Sequence, residues 1–267
     1  MKEMESVYDA NALLDLFRKC KKRTAWKESV QRYEMNLLRN VRQTQKELIE
    51  GTYKQKDVYE FDLSERGKTR HIKAMHISDR VVQKAVCDNI LIPELDKYLI
   101  YDNGASMEGK GIHFARKRLK THLHKYFRKH GNNEGYVLLI DFTKFFDNIC
   151  HEPLIEAIRE KIGNEETMRF VESLINTFKI DVSYMTDEEY EKYLDVVYNA
   201  LEYEQIDKEL LTGEKLMRKS VGIGSQISQI SGVFYPTRID NYCKIVRDLK
   251  YYGRYMDSIL FMKIKSI

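Results

Sequence analysis

The stretch that decides the fold reads Tyr136-Val-Leu-Leu-Ile-Asp141-Phe-Thr-Lys-Phe-Phe146-Asp147. Its unbroken apolar run predicts a strand that is buried on both faces. The run ends at the carboxylate of Asp141, and an aromatic pair and Asp147 follow closely. Taken alone, the stretch is explained equally well by an interior strand that ends in an acid without a chemical role.

A second acid, Asp257, lies in Tyr255-Met256-Asp257, where the pattern predicts a tight hairpin. If the fold brings Asp141 and Asp257 together, the two carboxylates can hold a pair of divalent cations about 4 Å apart. That spacing suits in-line nucleotidyl transfer, in which the ions act on the attacking and the leaving oxygen. The sequence therefore predicts a two-metal site, provided that the two acids meet in space.

The composition is that of an ordered protein with one large domain or two small ones. The 267 residues are 43% hydrophobic and 32% charged, so the chain can bury a core. It has no long apolar run and begins with charged residues, so we expect neither a membrane span nor a secretory signal. The four cysteines are far apart, which favours a reduced, cytoplasmic protein without disulfides or structural zinc.

The net charge of +4 conceals an uneven distribution. Residues 18–23 and 116–130 are strongly basic, whereas residues 181–214 carry eleven carboxylates and two lysines. A basic stripe is typical of a surface that binds a phosphate backbone, although most charged runs are solvated faces. The charge permits nucleic-acid binding and does not establish it.

The N-terminal part of the chain predicts helices and then a hairpin. Residues 8–50 have helical periodicity, and residues 57–75 alternate as two strands around a turn at Gly67. The basic residues expected near the hairpin tip are Arg66, Lys68, Arg70 and Lys73. Such a hairpin could clasp a triphosphate, because guanidinium groups pair with phosphate oxygens. The alternative is a basic surface hairpin without a ligand.

The remaining segments are read mainly as helices. Ser78 is predicted to cap a buried helix that ends at Pro93. The glycine-rich segment 103–111 opens a basic helix at 112–130, a helix start that suits an anion. The phosphate-loop pattern G-x-x-x-x-G-K-[ST] is absent. We further expect a helical acidic insertion at about 164–215, a long helix at about 228–249 and a strand–turn–strand at 251–262.

In this order, the segments resemble a bacterial reverse transcriptase, an RNA-directed DNA polymerase, over roughly residues 30–262. The motifs that carry the resemblance are the hairpin with Arg70, Ser78-Asp-Arg-Val-Val-Gln83, Ser106-Met-Glu-Gly-Lys110-Gly, Asp141-x-x-x-x-Phe146-Asp147 and Tyr255-Met256-Asp257. Many relatives have Gln-Gly-x-x-x-Ser-Pro where this chain has Ile223-Gly224-x-x-x-Ser228-Gln229. That departure resembles the enzymes of diversity-generating retroelements, with group II intron enzymes also close in motif.

The resemblance implies an α+β fold of the right-hand polymerase type, with fingers and palm only and without a thumb. An N-terminal helical extension would occupy residues 1–55, the fingers residues 56–135 and an incomplete palm residues 136–267. Two other functions remain open: a non-catalytic nucleic-acid-binding remnant, and an RNA-dependent RNA polymerase with the same two-aspartate palm. Phe146 argues against the latter.

The resemblance also implies a role for each matching residue. Asp141 and Asp257, with the backbone carbonyl of Phe142, would hold two Mg²⁺ ions, or Mn²⁺, while a dNTP is joined to a primer 3′-hydroxyl. The implied nucleotide-binding residues are Arg70, Lys68 and Lys110 on the triphosphate, Phe146 under the sugar as a barrier to a 2′-hydroxyl, and Gly224 and Gln229 along the path of the templating base.

The implied partners are an RNA template, a DNA or RNA primer and dNTPs, with an accessory protein or a structured RNA as further candidates. No membrane partner is expected. Basic side chains would follow the template backbone, so binding should weaken as salt rises. These side chains are Arg116, Lys117 and Lys120 on the basic helix, and Lys21, Lys22 and Arg23 near the N-terminus.

Two features depart from the family pattern. The family hairpin reads Tyr-x-Asp-Asp, whereas this chain has Ser258 after Asp257. A serine cannot supply the second negative charge, so we expect weaker stabilisation of the transition state. The chain also ends ten residues after Asp257, so we expect the last palm strands and the thumb to be missing. One back-translation of residues 257–267 continues the hairpin in a neighbouring reading frame. We therefore hypothesise a truncated or frameshifted, impaired copy of a longer gene, which the nucleotide sequence of the gene would test.

Overall fold

The computed structural model describes residues 2–65, 67–195 and 207–264. These residues form two compact units, each made of two stretches of the chain. The larger unit comprises residues 1–94 and 146–229, and the smaller unit comprises residues 95–145 and 230–267. The units interleave along the chain and do not correspond to the three predicted segments. The predicted division into extension, fingers and palm at residues 55 and 135 therefore stays a prediction.

The larger unit begins with four helices and a β-hairpin. The helices are α1 (Lys2–Tyr8), α2 (Ala10–Lys21), α3 (Glu28–Met35) and α4 (Leu37–Ile49), and the strands are β1 (Tyr59–Glu65) and β2 (Lys68–Ala74). Asp9 caps α2 by accepting a hydrogen bond from the Asn11 amide at 2.7 Å. The strands pair antiparallel around Gly67, whose φ of 75° suits glycine, so the predicted hairpin is confirmed.

The core of the larger unit is built around α5 (Ile77–Val86), which packs against α2. Its apolar side chains Val81, Val82, Ala85 and Val86 are buried. His76, rather than the predicted Ser78, caps this helix, because its ring accepts the Ser78 amide. Pro93 does not end the helical stretch, because a wider helical turn at Cys87–Leu91 leads directly from α5 into α6 (Ile92–Leu95), which contains the proline.

The second stretch of the larger unit completes this core. It contains α8 (His151–Arg159), α9 (Glu165–Asn176), the short strands β4 (Ile180–Asp181) and β5 (Leu216–Met217), and α10 (Asp187–Asp195) between them. The apolar faces of α8 and α9 are buried. The acidic segment therefore combines a core helix, an antiparallel strand pair and an outer helix.

The smaller unit contains α7 (Ile112–His130) and a three-stranded antiparallel sheet. The sheet has the order β3 (Gly135–Asp141), β7 (Ser258–Ile264), β6 (Tyr252–Tyr255). The prediction that β3 is buried on both faces is wrong, since all seven of its residues are exposed. As an edge strand it pairs with β7 on one side, and its apolar side chains reach the surface of the described residues.

The predicted long helix at 228–249 is also wrong, because it is broken near its middle. Helix α11 (Gln226–Phe234) ends before Pro236, α12 (Thr237–Asn241) follows, and a wider helical turn runs from Tyr242 to Val246. Proline lacks the N–H that a continuous helix needs at this point. The result is a mixed α+β architecture with small antiparallel sheets, and no helix in the described ranges is long and apolar enough to cross a bilayer.

Candidate active site

The sheet of the smaller unit brings the two predicted acids together. Asp141 is the last residue of β3 and lies opposite Ser258, the first residue of β7. The turn between β6 and β7 consists of Met256 and Asp257, so Asp257 directly precedes that pairing. The Phe142 amide donates to the Asp257 carbonyl at 3.0 Å, which joins the end of β3 to this turn.

The two carboxylates converge on one hydroxyl group. Ser258 Oγ donates to Asp141 Oδ1 at 2.9 Å and lies 3.4 Å from Asp257 Oδ1. Asp141 is exposed and Asp257 is half-buried, so a ligand can reach both from solvent. The spatial condition on which the two-metal prediction depends, that these acids meet, is therefore fulfilled.

The donors present suit a hard divalent cation. Mg²⁺ and Mn²⁺ prefer oxygen ligands, and Mg²⁺ is commonly held by one or two carboxylates together with water and substrate phosphates. No group of three or more His, Cys, Asp or Glu side chains that could hold a metal exists among the described residues. The pair Asp141 and Asp257, with neutral Ser258 between them, could thus supply two carboxylate ligands and no more.

A buried ion pair that the sequence did not reveal lies behind the hairpin. Arg254 Nε donates to both carboxylate oxygens of Asp240, at 3.0 and 2.8 Å, and both side chains are 0% exposed. The Tyr252 hydroxyl adds a hydrogen bond of 2.6 Å to Asp240 Oδ1. Burial raises the pKa of Asp240, and the guanidinium opposes this rise. The one available signal was the alternation that puts Tyr252 and Arg254 on the same face of β6.

A second cluster connects α7 to the hairpin within the smaller unit. Arg118 Nε donates to Asp102 Oδ1 at 2.5 Å, Lys244 Nζ donates to Oδ2 at 2.9 Å, and His122 Nε2 lies 3.3 Å from Oδ1. The Asp102 carbonyl accepts the Arg254 amide at 3.1 Å. Burial raises the pKa of Asp102, but the three basic neighbours outweigh it and lower the pKa below its usual value.

The basic residues predicted on α7 lie at its surface. Arg116, Lys117 and Lys120 are exposed, in contrast to the inward-facing Arg118. Lys110, just before the helix, lies over the rings of Tyr101 and Phe114, 5.8 and 5.7 Å from their centroids. A cation can form such contacts while it remains partly hydrated.

The predicted basic hairpin belongs to the larger unit. Arg70 is exposed on β2, Arg66 lies outside the described residues, and the structure describes the backbone of Lys68. Lys73 is not near the tip as expected, because it pairs with Glu60 toward the opposite end of the hairpin; it is buried there, and its Nζ lies 3.4 Å from Glu60 Oε1. Burial thus removes one of the four expected phosphate ligands from the surface.

The glycine stretch lies against this hairpin. The Lys73 amide donates to the Ile223 carbonyl at 3.0 Å, and Gly224 has a φ of 127°. A Cβ on Gly224 would lie 3.2 Å from the Lys73 carbonyl oxygen, so the close approach that glycine permits is to β2. Gln229 is exposed on α11.

The other predicted residues of the larger unit are in mixed surroundings. Phe146 is half-buried, and its carbonyl accepts the Val221 amide at 3.1 Å. Lys21 forms an ion pair with Glu34, whereas Lys22 and Arg23 are exposed. Lys21 is therefore partly neutralised by a neighbour, in contrast to the two residues that follow it.

Comparison with known proteins shows a shared fold and no named family. No protein-family model matches the sequence, and no curated protein matches it. Two solved structures similar to this chain are described as "Partial Cas6-RT-Cas1--Cas2 complex" and "Cas6-RT-Cas1--Cas2 complex". Each aligns over 99% of this chain at 14% identity with a TM-score of 0.51, and this chain spans 38% and 24% of their respective lengths. At this identity, the chain is similar to those proteins in fold.

Proposed function

We propose that this chain is an RNA-directed DNA polymerase of a bacterial retroelement, with its reaction centre at Asp141 and Asp257. The observation that carries the proposal is the convergence of these two strand-end carboxylates on the Ser258 hydroxyl. The fold neighbours add support, because RT in their descriptions is the usual abbreviation for reverse transcriptase. In this proposal, β3, β7 and β6 are the palm sheet, and β1 and β2 are the fingers hairpin.

Asp141, Asp257 and the Phe142 carbonyl would hold the divalent cations. When bound, the ions would lower the pKa of the primer hydroxyl and stabilise the charge on the leaving pyrophosphate. The chain's own part is to hold the two carboxylates at a fixed separation that solvent and substrate can reach. Ser258 holds the Asp141 carboxylate by a hydrogen bond and adds no charge, so we propose weaker cation binding than two adjacent aspartates would give.

The other roles follow from the kinds of side chain available. Arg70, Lys68 and Lys110 would bind the triphosphate, because cationic side chains pair with phosphate oxygens. Phe146 would exclude a ribose 2′-hydroxyl, and Gly224 and Gln229 would border the templating base. Exposed basic residues would follow the phosphate backbone of the template, with Lys21 contributing less because of Glu34: Arg116, Lys117, Lys120, Lys22 and Arg23.

Primer extension on an RNA template tests this function. The purified chain would be given a DNA primer, dNTPs and Mg²⁺ or Mn²⁺, and incorporation would be compared with that of Asp141→Asn and Asp257→Asn. We expect incorporation by the wild type and a loss of about 100-fold or more in each variant. Asp248→Asn, which alters an exposed acid of the same unit, is the matched control and should retain activity.

A second candidate is a nucleic-acid-binding protein without catalysis, favoured by the exposed basic residues of α7 and by the neutral Ser258. It predicts no incorporation and RNA binding that weakens with salt. Replacing Arg116, Lys117 and Lys120 by glutamine should then reduce both the affinity and its salt dependence. An RNA-dependent RNA polymerase would instead incorporate rNTPs, and Phe146→Ala would leave its sugar preference unchanged.

A further inference from the structure

The turn that presents Asp257 has a backbone conformation that its own sequence does not favour. Met256 has a φ of 53°, in the left-handed region that glycine and asparagine adopt readily and methionine rarely adopts. Hairpin turns with positive φ at this position usually have glycine there. The conformation must therefore be stabilised by contacts from outside the turn.

One such contact comes from Arg254, on the strand just before the turn. Arg254 Nη1 donates to the Met256 carbonyl at 2.9 Å. The guanidinium is fixed from behind, because Nε donates to both oxygens of Asp240 and Nη2 donates to the Val233 carbonyl at 2.6 Å. One planar group thus connects α11 and α12 to the turn, in full burial.

We infer that Arg254 is a positioning residue: clamped by Asp240, it holds the Met256 turn and thereby sets the place of the Asp257 carboxylate beside Asp141. The geometric half of this inference stands on the hydrogen bonds alone, and its consequence for cation binding rests on the proposed function. A lysine at this position would keep the charge that faces Asp240. It lacks the planar fork that reaches Asp240, Val233 and Met256 at the same time.

The Phe142 amide provides a readout of the turn, since it donates to the Asp257 carbonyl. Native-state hydrogen exchange, followed by NMR, would be measured in the wild type, in Arg254→Lys and in Arg247→Lys. In Arg254→Lys we expect exchange at Phe142 to be about 3- to 10-fold faster, the effect of one net hydrogen bond. Arg247 is exposed in the same unit, so Arg247→Lys should leave this rate unchanged.

A second substitution separates positioning from a general loss of stability. Glycine adopts a positive φ at no steric cost, so Arg254→Lys combined with Met256→Gly should restore slow exchange at Phe142. The free energy of unfolding should stay low in that double variant, because the contact with Asp240 is still altered. Unchanged exchange in a folded Arg254→Lys variant, or no recovery in the double variant, would overturn the inference.

Two further outcomes are distinguishable. If Arg254→Lys does not fold, Asp240→Asn decides, because it weakens the clamp and leaves Arg254 in place: faster exchange at Phe142 supports the positioning role, and an unchanged rate overturns it. Mn²⁺ binding, measured by water proton relaxation, should weaken about 3- to 10-fold in Arg254→Lys in parallel with the exchange. If the wild type binds no Mn²⁺ while Phe142 responds as expected, the proposed function fails and the positioning role stands.

Discussion

The two acids of the candidate site are held in opposite ways. Asp141 ends β3, an exposed edge strand that is joined to the sheet by its pairing with β7. Asp257 stands on a hairpin anchored from within by the buried pair of Arg254 and Asp240. A backbone ladder defines the register of Asp141 and leaves the strand open to solvent, whereas a desolvated ion pair ties the Asp257 turn to two helices. Substitutions on the two sides should therefore differ sharply in cost.

The largest effect is expected behind the hairpin. Asp240→Ala leaves the guanidinium of Arg254 buried without its partner, which typically costs about 3–5 kcal/mol in the free energy of unfolding. The control is Asp248→Asn, which keeps a side chain that tolerates the positive φ of 48° there and removes only an exposed pair, 3.4 Å from Lys250, worth about 0–1 kcal/mol. Urea unfolding measures both. Similar costs for the two variants would mean that the hairpin is not anchored by this pair.

The next comparison is between β7, the central strand of the sheet, and β3, the edge strand that pairs with it. Ile259 on β7 is 4% exposed and clusters with Ile100 and Tyr252, so Ile259→Ala should cost about 2–5 kcal/mol. Leu139 on β3 is 70% exposed, and Leu139→Ala should change the free energy of unfolding by about 0.5 kcal/mol or less. Urea unfolding measures both here as well. A loss at Leu139 that matches the loss at Ile259 would show that β3 is covered in solution.

The contrast between these strands also shows what sequence patterns can reveal. Both hairpins and the basic helix followed from local signals, such as Gly67 in its turn. The meeting of the two acids was a condition of the two-metal prediction that no local pattern establishes. The exposure of β3 did not follow from such signals, since its apolar run predicted a buried strand. An apolar run shows that a strand can be buried, but the strand order of the sheet decides whether a neighbour covers it, and β3 lies at the edge.

The buried ion pair was missed for a related reason. Arginine is almost never fully buried, so a pattern assigns Arg254 to solvent until its partner is known. That partner, Asp240, lies on a separate element, α12, and the two meet through tertiary packing. In contrast, the break of the long helix at Pro236 was within reach of the sequence, since proline alone interrupts a helix.

The Ser258 hydroxyl contacts both Asp141 and Asp257, so changing it tests whether the two acids bind a cation together. Ser258→Asp adds a carboxylate beside Asp141 and Asp257, and we expect Mn²⁺ affinity to rise about tenfold, or about 1.4 kcal/mol. Ser258→Ala, which removes the hydrogen bond to Asp141 without adding charge, is the control and should give no increase. Water proton relaxation during a Mn²⁺ titration measures all three. Equal affinities for the two variants would contradict a cation site between these acids.

The smallest expected effect concerns pH, through the cluster at Asp102 that supports the hairpin from the side of α7. Its lowered pKa means that the folded state binds a proton there less readily than the unfolded state does. The stabilisation is therefore complete above the unfolded pKa of about 4 and is lost as the pH falls below it toward the folded pKa.

Urea unfolding of the wild type should accordingly show a loss of stability between about pH 5 and about pH 3 to which this group contributes. Asp102→Asn should be less stable at the upper end of this window and should lose less stability across it, because it has no proton to gain at this position. Equal losses in the two proteins would mean that Asp102 is not the group that links α7 to the hairpin by charge. A smaller loss in the variant would show that the Asp257 side of the site is held by two charge clusters, whereas the Asp141 side relies on backbone pairing.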